Sequence, residues 1–390
     1  MFAGGFVPGP GLAAADVNGG CSASAERKSL IRTLKRMPWW VQEPLSGVMR
    51  AALGAPMLGA LPAMADLAGG LGRTFGAARL NRKRLARADE NLREVFPQWD
   101  ADERRHHALA AYEHLFRLGV ELAFSPRLLN RDGWVNQLIL PDRLPELRRM
   151  ITDRACVMLT GHVGNWELIG SAMGLLGFPL HAVYRPLDLA PLDAWVRQSR
   201  ERQGITLVSK FGAVHELPGA LAAGRPVGLV ADQNGGDRGM FVPFFGRLTS
   251  TYKSIGLLAI QFNATVVCGF ARRVSAAEAS REHADAASRG GLRYKVEIAD
   301  VFGPEDWSTH PDPLFYLTAR YRRALERMIL TAPDQYLWMH RIWRSRPLHE
   351  RAGKPFPAAL REKMSLLPWM SSADVDRVVD RSEREQRQAP

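Results

Sequence analysis

The heptapeptide Gly161-His162-Val163-Gly164-Asn165-Trp166-Glu167 sets an imidazole and a carboxylate five residues apart, directly after the apolar run Cys156-Val157-Met158-Leu159-Thr160. The run reads as a buried strand, and Leu168 to Leu176 as an amphipathic helix rich in small residues. On one continuous helix, positions i and i+5 diverge by roughly 140° and do not meet. They meet if His162 occupies a turn and Glu167 the first turn of the helix, an arrangement that Gly161 and Gly164 permit. The helix dipole then favours the Glu167 carboxylate and disfavours an imidazolium, so His162 is expected to be a neutral base near pH 7. Free backbone N–H groups at the same helix start, near Gly164 and Asn165, suit an oxyanion. The competing readings are an ordinary first-turn acid and a capping histidine. The pair matches neither H-E-x-x-H nor another common ligand spacing, so neither metal nor cofactor is expected.

Three further segments carry polar side chains beside apolar elements: Tyr184-Arg185-Pro186, Ala231-Asp232-Gln233 with Val242-Pro243-Phe244-Phe245-Gly246-Arg247 after it, and Pro333-Asp334-Gln335-Tyr336-Leu337-Trp338-Met339-His340-Arg341. Core packing accounts for the apolar residues. It does not account for arginines set repeatedly after predicted strand ends. His107 and His114 fall on one face of a long helical pattern, where lone histidines are usually solvent or core residues.

These residues need a scaffold. From about residue 153 the pattern alternates: strands at 155–160, 180–185, 205–209, 226–232, 265–272 and 293–299, with helices near 165–176, 190–203, 213–223 and 252–262. That alternation predicts an α/β sheet with helices on both faces and its chemistry at the carboxyl ends of the strands. A helix over roughly 101–124 precedes it and another near 313–331 follows. Residues 275–291 read as an extended hairpin loop, and the charged tail after Leu367 as fraying.

The chain has 390 residues with 46% hydrophobic and 24% charged residues, ordinary values for a folded protein. Its net charge of +12 calls for an anionic partner: nucleic acid, an anionic membrane surface or an acidic carrier protein. No zinc-finger, RRM or helix-turn-helix signature supports nucleic acid. Cys156 and Cys268 sit in strand-like runs and read as small buried hydrophobes of a reducing compartment. Residues 1–25 are Gly, Ala, Pro and Ser rich, without the n- and h-regions of a signal peptide, and read as a disordered leader. A basic, membrane-associated segment is expected over 26–90. There Arg27, Lys28, Arg32, Lys35 and Arg36 precede Trp39 and Trp40, and the apolar stretch Ala51 to Ala65 is broken by Pro56 and Pro62. Such a stretch falls short of the ~20 residues of a span, and fits an interfacial segment on anionic lipid.

Together these motifs resemble the late acyltransferases of lipid A biosynthesis, the lauroyl and myristoyl transferases, and their wider glycolipid-acylating family. The resemblance runs from about Asn91 to Pro347. The H-x-G-N-W-E stretch is matched by His162, Gly164, Asn165, Trp166 and Glu167. N-L-x-x-x-F-P is matched by Asn91, Leu92, Phe96 and Pro97. F-F-G-x-x-A-x-T is matched by Phe244, Phe245, Gly246 and Thr251, with Thr249 replacing alanine. P-E-Q-Y-L-W-x-H-R is matched with Asp334 in place of Glu. Ser254 stands where the family usually has glycine, and the family's clear N-terminal spanning helix has only a proline-broken counterpart.

The resemblance implies a glycerolphosphate-acyltransferase-like sheet in an acyltransferase domain over 91–350, followed by a C-terminal tail. It implies transfer of an acyl group from acyl carrier protein or acyl-CoA to a membrane glycolipid hydroxyl, at the cytoplasmic face of the bacterial inner membrane. In that reading His162 removes the acceptor proton and Glu167 fixes the imidazole tautomer. Gly164 and Asn165 hold the oxyanion, and Asp232 and Gln233 join the substrate site. Arg185, Arg247 and Arg341 grip acceptor or pantetheine phosphate, and Phe244 and Phe245 wall the acyl channel. The alternatives are acylation of a lysophospholipid or phosphoglycolipid, and a non-catalytic peripheral membrane or carrier-binding protein.

Overall fold

A computed structural model describes residues 37–387 except 131, 143, 203 and 283–290. The expected leader and the first basic cluster, Arg27 to Arg36, lie outside these residues. The described chain opens with helices α1 (Trp39–Gly54), α2 (Leu61–Ala77), α3 (Arg82–Val95) and α4 (Ala101–Leu128). Asp100 starts α4 with a capping box, accepting from the Asp102 and Glu103 amides while Glu103 accepts from its own. Helix α2 lies close against α4 because its inner face is small: a Cβ on Gly72 would stand 2.6 Å from the Tyr112 carbonyl oxygen. No described helix is long and apolar enough to cross a membrane.

The sheet is built from β1 (Leu138–Ile139), β2 (Cys156–Thr160), β3 (His181–Tyr184), β4 (Thr206–Ser209), β5 (Val227–Val230), β8 (Thr265–Arg273) and β9 (Tyr294–Phe302). Their order is β1-β9-β8-β2-β5-β3-β4, parallel throughout except for the antiparallel β8–β9 pair. Strands β6 (Met240–Phe244) and β7 (Arg247–Thr251) form a separate antiparallel hairpin. The crossovers are α5 (Leu144–Thr152), α6 (Trp166–Leu175), α7 (Ala190–Glu201), α8 (Ala213–Ala222) and α9 (Lys253–Gln261), with α10 (Pro313–Thr331) and α11 (Ser372–Arg387) following.

Strand β2 sits at the centre, so both of its faces must be apolar. Val157 and Leu159 pack into a core shared with α3, α8, α9 and α10, while Cys156 and Met158 face α5 and α6 on the other side. Helices therefore cover both faces, as the alternation predicted, and all six predicted sheet strands form. Both described cysteines are buried and unpaired.

Four features differ from the sequence reading. The short β1 extends the sheet edge. Helix Ala276–Glu282 occupies part of the expected 275–291 loop. The F-F-G element is a hairpin whose two-residue turn places Phe245 at φ 52° and Gly246 at φ 68°. The C-terminal tail does not fray: Val375, Val378 and Val379 make a buried stripe on α11, and Glu385 pairs with Arg247 and Arg346.

Candidate active site

The register of the sheet brings the site together. Thr160 on β2 lies opposite Val230 on the parallel neighbour β5, and the Ala231 amide donates to the Thr160 carbonyl at 2.8 Å. Two residues on, both strands have ended, and His162 and Asp232 stand side by side. His162 Nδ1 donates to Asp232 Oδ1 at 2.8 Å. As the spacing predicted, His162 is in the turn and Glu167 in the first turn of α6. The carboxylate that meets the ring, however, is Asp232. Glu167 accepts from Arg200 Nη2 at 2.7 Å and acts on His162 only through its charge.

Burial opposes the imidazolium of His162, but the charge and hydrogen bond of Asp232, with a smaller contribution from Glu167, raise its pKa above 6.5. The ring is therefore more basic than the dipole argument predicted. Asp232 is 1% exposed. Burial works against its ionisation, but His162, His340 and Arg322 hold the carboxyl well below the usual carboxylate range.

The amides of Gly164 and Asn165, expected to be free, are engaged. Gly164, at φ +60°, donates its amide to the Gln335 carbonyl at 2.9 Å, and Asn165 donates its own to the Ala271 carbonyl at 2.8 Å. Asn165 is fully buried and caps α6, its Oδ1 accepting from the Leu168 amide at 2.9 Å. Both positions build the turn. Among the described groups, the Trp166 and Glu167 amides remain as first-turn donors without an acceptor.

Sequence reasoning missed His340. Its ring centroid lies 4.7 Å from that of His162, and the Trp166 ring lies 4.9 Å from the same imidazole. Burial, aided by the neighbouring His162, pushes its pKa down to about 4, so it is neutral. Asn91 of the N-L-x-x-x-F-P motif holds this segment, donating through Nδ2 to the carbonyls of Trp338 at 2.7 Å and His340 at 2.9 Å. The histidine was present in the matched closing motif, but a fold was needed to set it beside His162. Among the described residues, His162, Asp232 and His340 are the group able to offer three metal-ligating atoms within 4.8 Å of one another.

Two spaces lie beside the neighbours of His162, which itself lines neither. Trp166 and Glu167 border a largely apolar cavity, partly open to solvent, which runs between the sheet and helices α5 and α6 past Met158, Met173 and Leu180. His340 and Asp232 border a polar cleft that contains Gln233, Arg341 and Arg344. The other expected contacts fall elsewhere. Arg185 is exposed and lies 3.9 Å from Asp188. Arg247 is bound to Glu385 and packs over Trp343. Phe244 is fully buried in the core and Phe245 forms the hairpin turn, and neither lines the apolar cavity.

The site is thus a buried histidine–carboxylate pair at the carboxyl ends of two parallel strands, with an apolar cavity and an arginine-bearing cleft beside its neighbours. Residues 51–345 match the model of the bacterial lipid A biosynthesis acyltransferases, and the chain belongs to that family. It is an acyltransferase. It is 28% identical over 277 residues to the lipid A biosynthesis palmitoleoyltransferase of Escherichia coli K12, covering 69% of this chain and 81% of the relative. It is 26% identical over 297 residues to the lipid A biosynthesis lauroyltransferase of the same organism, covering 73% and 87%.

Proposed function

We propose that the chain moves a fatty acyl group from the thioester of acyl carrier protein, or of CoA, to a hydroxyl of a lipid A precursor. The observation that carries this reading is the position of His162, hydrogen-bonded to Asp232 and flanked by Trp166 of the apolar cavity and His340 of the polar cleft. With Nδ1–H committed to Asp232, Nε2 is free to take the acceptor's hydroxyl proton. The alkoxide oxygen attacks the thioester carbonyl, and the Trp166 and Glu167 amides receive the oxyanion. The tetrahedral intermediate collapses by breaking the C–S bond. The imidazolium returns its proton to the leaving thiolate, giving an ester and a free thiol. Among the described residues no cysteine takes part, since Cys156 and Cys268 are buried.

In this reading the acyl chain lies in the apolar cavity, and Arg341 and Arg344 hold a phosphate of the acceptor in the cleft. Glu167, fixed by Arg200, adds a second negative charge that favours the imidazolium. The protein works at the cytoplasmic face of the bacterial inner membrane. The apolar side chains of Trp39, Trp40, Val48 and Leu53 on α1, and of Leu67 and Leu71 on α2, are exposed, and Arg79, Arg82, Lys83 and Arg84 follow them. That combination suits anionic lipid. Mass spectrometry of lipid A from cells lacking the protein tests the acceptor: one acyl chain should be missing. Unchanged lipid A together with an altered phospholipid would move the reading to the phosphoglycolipid alternative.

A further inference from the structure

His114 lies in the middle of α4, 2% exposed, and the mechanism above gives it no task. Its Nε2 is 3.0 Å from the Gly164 carbonyl oxygen, and its Nδ1 is 3.0 Å from Arg273 Nη1. A guanidinium has no lone pair to offer, so it must donate to Nδ1. The proton of His114 is therefore on Nε2, and it is donated to Gly164. We propose that His114 is a positioning residue of the acyl-transfer site, holding the Gly164 carbonyl so that the turn presents His162 to Asp232.

The other contacts of the turn point the same way. Gly164 has its amide on the Gln335 carbonyl and its carbonyl on His114, so both of its backbone groups are fixed. Gln335 in turn clasps the Arg273 backbone, with Oε1 accepting from the Arg273 amide and Nε2 donating to the Arg273 carbonyl, each at 2.9 Å. The Arg273 side chain is locked by a bidentate pair with Glu121, both bonds 2.7 Å, and Tyr294 donates to the same carboxylate. The His162 carbonyl accepts from the Leu337 amide at 3.2 Å. Two residues before Gly164 stands His162 and three after it stands Glu167, so a displaced Gly164 moves the base and the second carboxylate together.

Burial first, and then the Arg273 charge, push the His114 pKa down to about 3, with the Gly164 carbonyl opposing. A neutral ring in one tautomer is what the contact requires. The titratable and charged groups facing His114 are Arg273 directly and, behind it, Glu121 and Tyr294. The pairing of Glu121 with Arg273 leaves the guanidinium aimed at Nδ1, so the tautomer is set by a contact at one remove from the turn.

The test rests on the acyl-transfer reading and separates from it. His114→Gln keeps an amide N–H at the place of Nε2–H, whereas His114→Phe keeps bulk and loses the donor. A misplacement near 1 Å costs about 10²-fold, so His114→Phe should lower kcat about 10–100-fold with KM nearly unchanged, and His114→Gln should keep kcat within about 5-fold. The second readout needs no acyl transfer: the downfield proton NMR resonance of the His162 Nδ1–H···Asp232 hydrogen bond, assigned by its loss in His162→Gln. That resonance should shift or broaden in His114→Phe and stay in His114→Gln. Equal kcat and an unmoved resonance in a folded His114→Phe protein would overturn the proposal. Equal losses in both variants would reduce His114 to a packing residue and overturn it as well. Absence of acyl transfer in the parent protein, with the resonance responding as expected, would overturn the reaction and leave the positioning role standing.

Discussion

Replacing Asp232 with Asn keeps the side-chain shape and removes the charge opposite His162 Nδ1. The carboxylate is fully buried and its bond to the imidazole is 2.8 Å, so little solvent screening attenuates the loss. A hydrogen bond between charged groups contributes about 1.5–3 kcal/mol, and at about 1.36 kcal/mol per decade this is roughly 10–150-fold in rate. If the new amide turns its NH2 toward Nδ1, the imidazole proton moves to Nε2, the nitrogen needed as the base, and the loss extends to about 10⁴-fold as for a buried triad carboxylate. The pH profile adds a signed expectation. His162 must be neutral to act, so activity rises with pH through its pKa, which Asp232 raises above 6.5. Without that charge, burial is opposed only by the more distant Glu167 and the pKa falls, so the acidic limb of kcat/KM moves to lower pH while the plateau drops. Initial rates of ester formation between pH 5 and 9, on protein shown to be folded, make the measurement. An unshifted limb with near-parent rates would refute the pairing of His162 with Asp232.

Other consequences of the geometry can be checked individually. Glu167→Gln releases Arg200 and removes the more distant charge on His162, so it should cost roughly 10–100-fold by the same hydrogen-bond scale and shift the acidic limb less than Asp232→Asn. Gly164→Ala forces a side chain to φ +60° and sets its Cβ 2.1 Å from the Ala271 carbonyl oxygen, so unfolding should show a loss of about 2 kcal/mol or more and a lower Tm. Gly170 borders the apolar cavity and a Cβ there meets nothing within 4 Å. Gly170→Leu should raise KM for long-chain acyl thioesters, while Tm holds or rises by the helix propensity of about 0.5–1 kcal/mol. Glu326 is buried, which pushes its pKa up to about 7 against the hydrogen bond from the Phe245 amide. Its folded pKa exceeds its unfolded one, so it withdraws stability as pH rises through the interval between them. Denaturant midpoints for Glu326→Gln should therefore gain on the parent at pH 8 and match it only below about pH 4.

The scaffold was largely legible because its strands and helices carry clean periods. The run Cys156 to Thr160 is apolar on both faces, which suits a central strand, and glycines bracket the turn after it. The same local signals placed His162 and Glu167 correctly, one in the turn and one on the helix. They did not reveal which carboxylate meets the imidazole. That depends on the Thr160–Val230 register between strands seventy residues apart, and no spacing within the heptapeptide encodes it. For the same reason, the Gly164 and Asn165 amides looked free until the 271–273 and 335–337 backbones were placed against them. Phe244 and Phe245 illustrate a different difficulty. Their apolar character was plain, but whether such a ring faces a cavity or a core is decided by partners such as Arg322, whose guanidinium lies 4.2 Å from the Phe244 ring. In the C-terminal tail the abundant charges of 372–387 obscured the three-valine stripe that docks the helix.

The central claim is that His162 is the base for acyl transfer between the apolar cavity and the polar cleft. Its most direct test incubates purified protein with a long-chain acyl thioester of acyl carrier protein and a lipid A precursor in mixed micelles, following the ester product. The parent should form it, and folded His162→Ala should be slower by about 10²–10⁴-fold, the scale of general-base loss. Near-parent ester formation by folded His162→Ala would contradict the account.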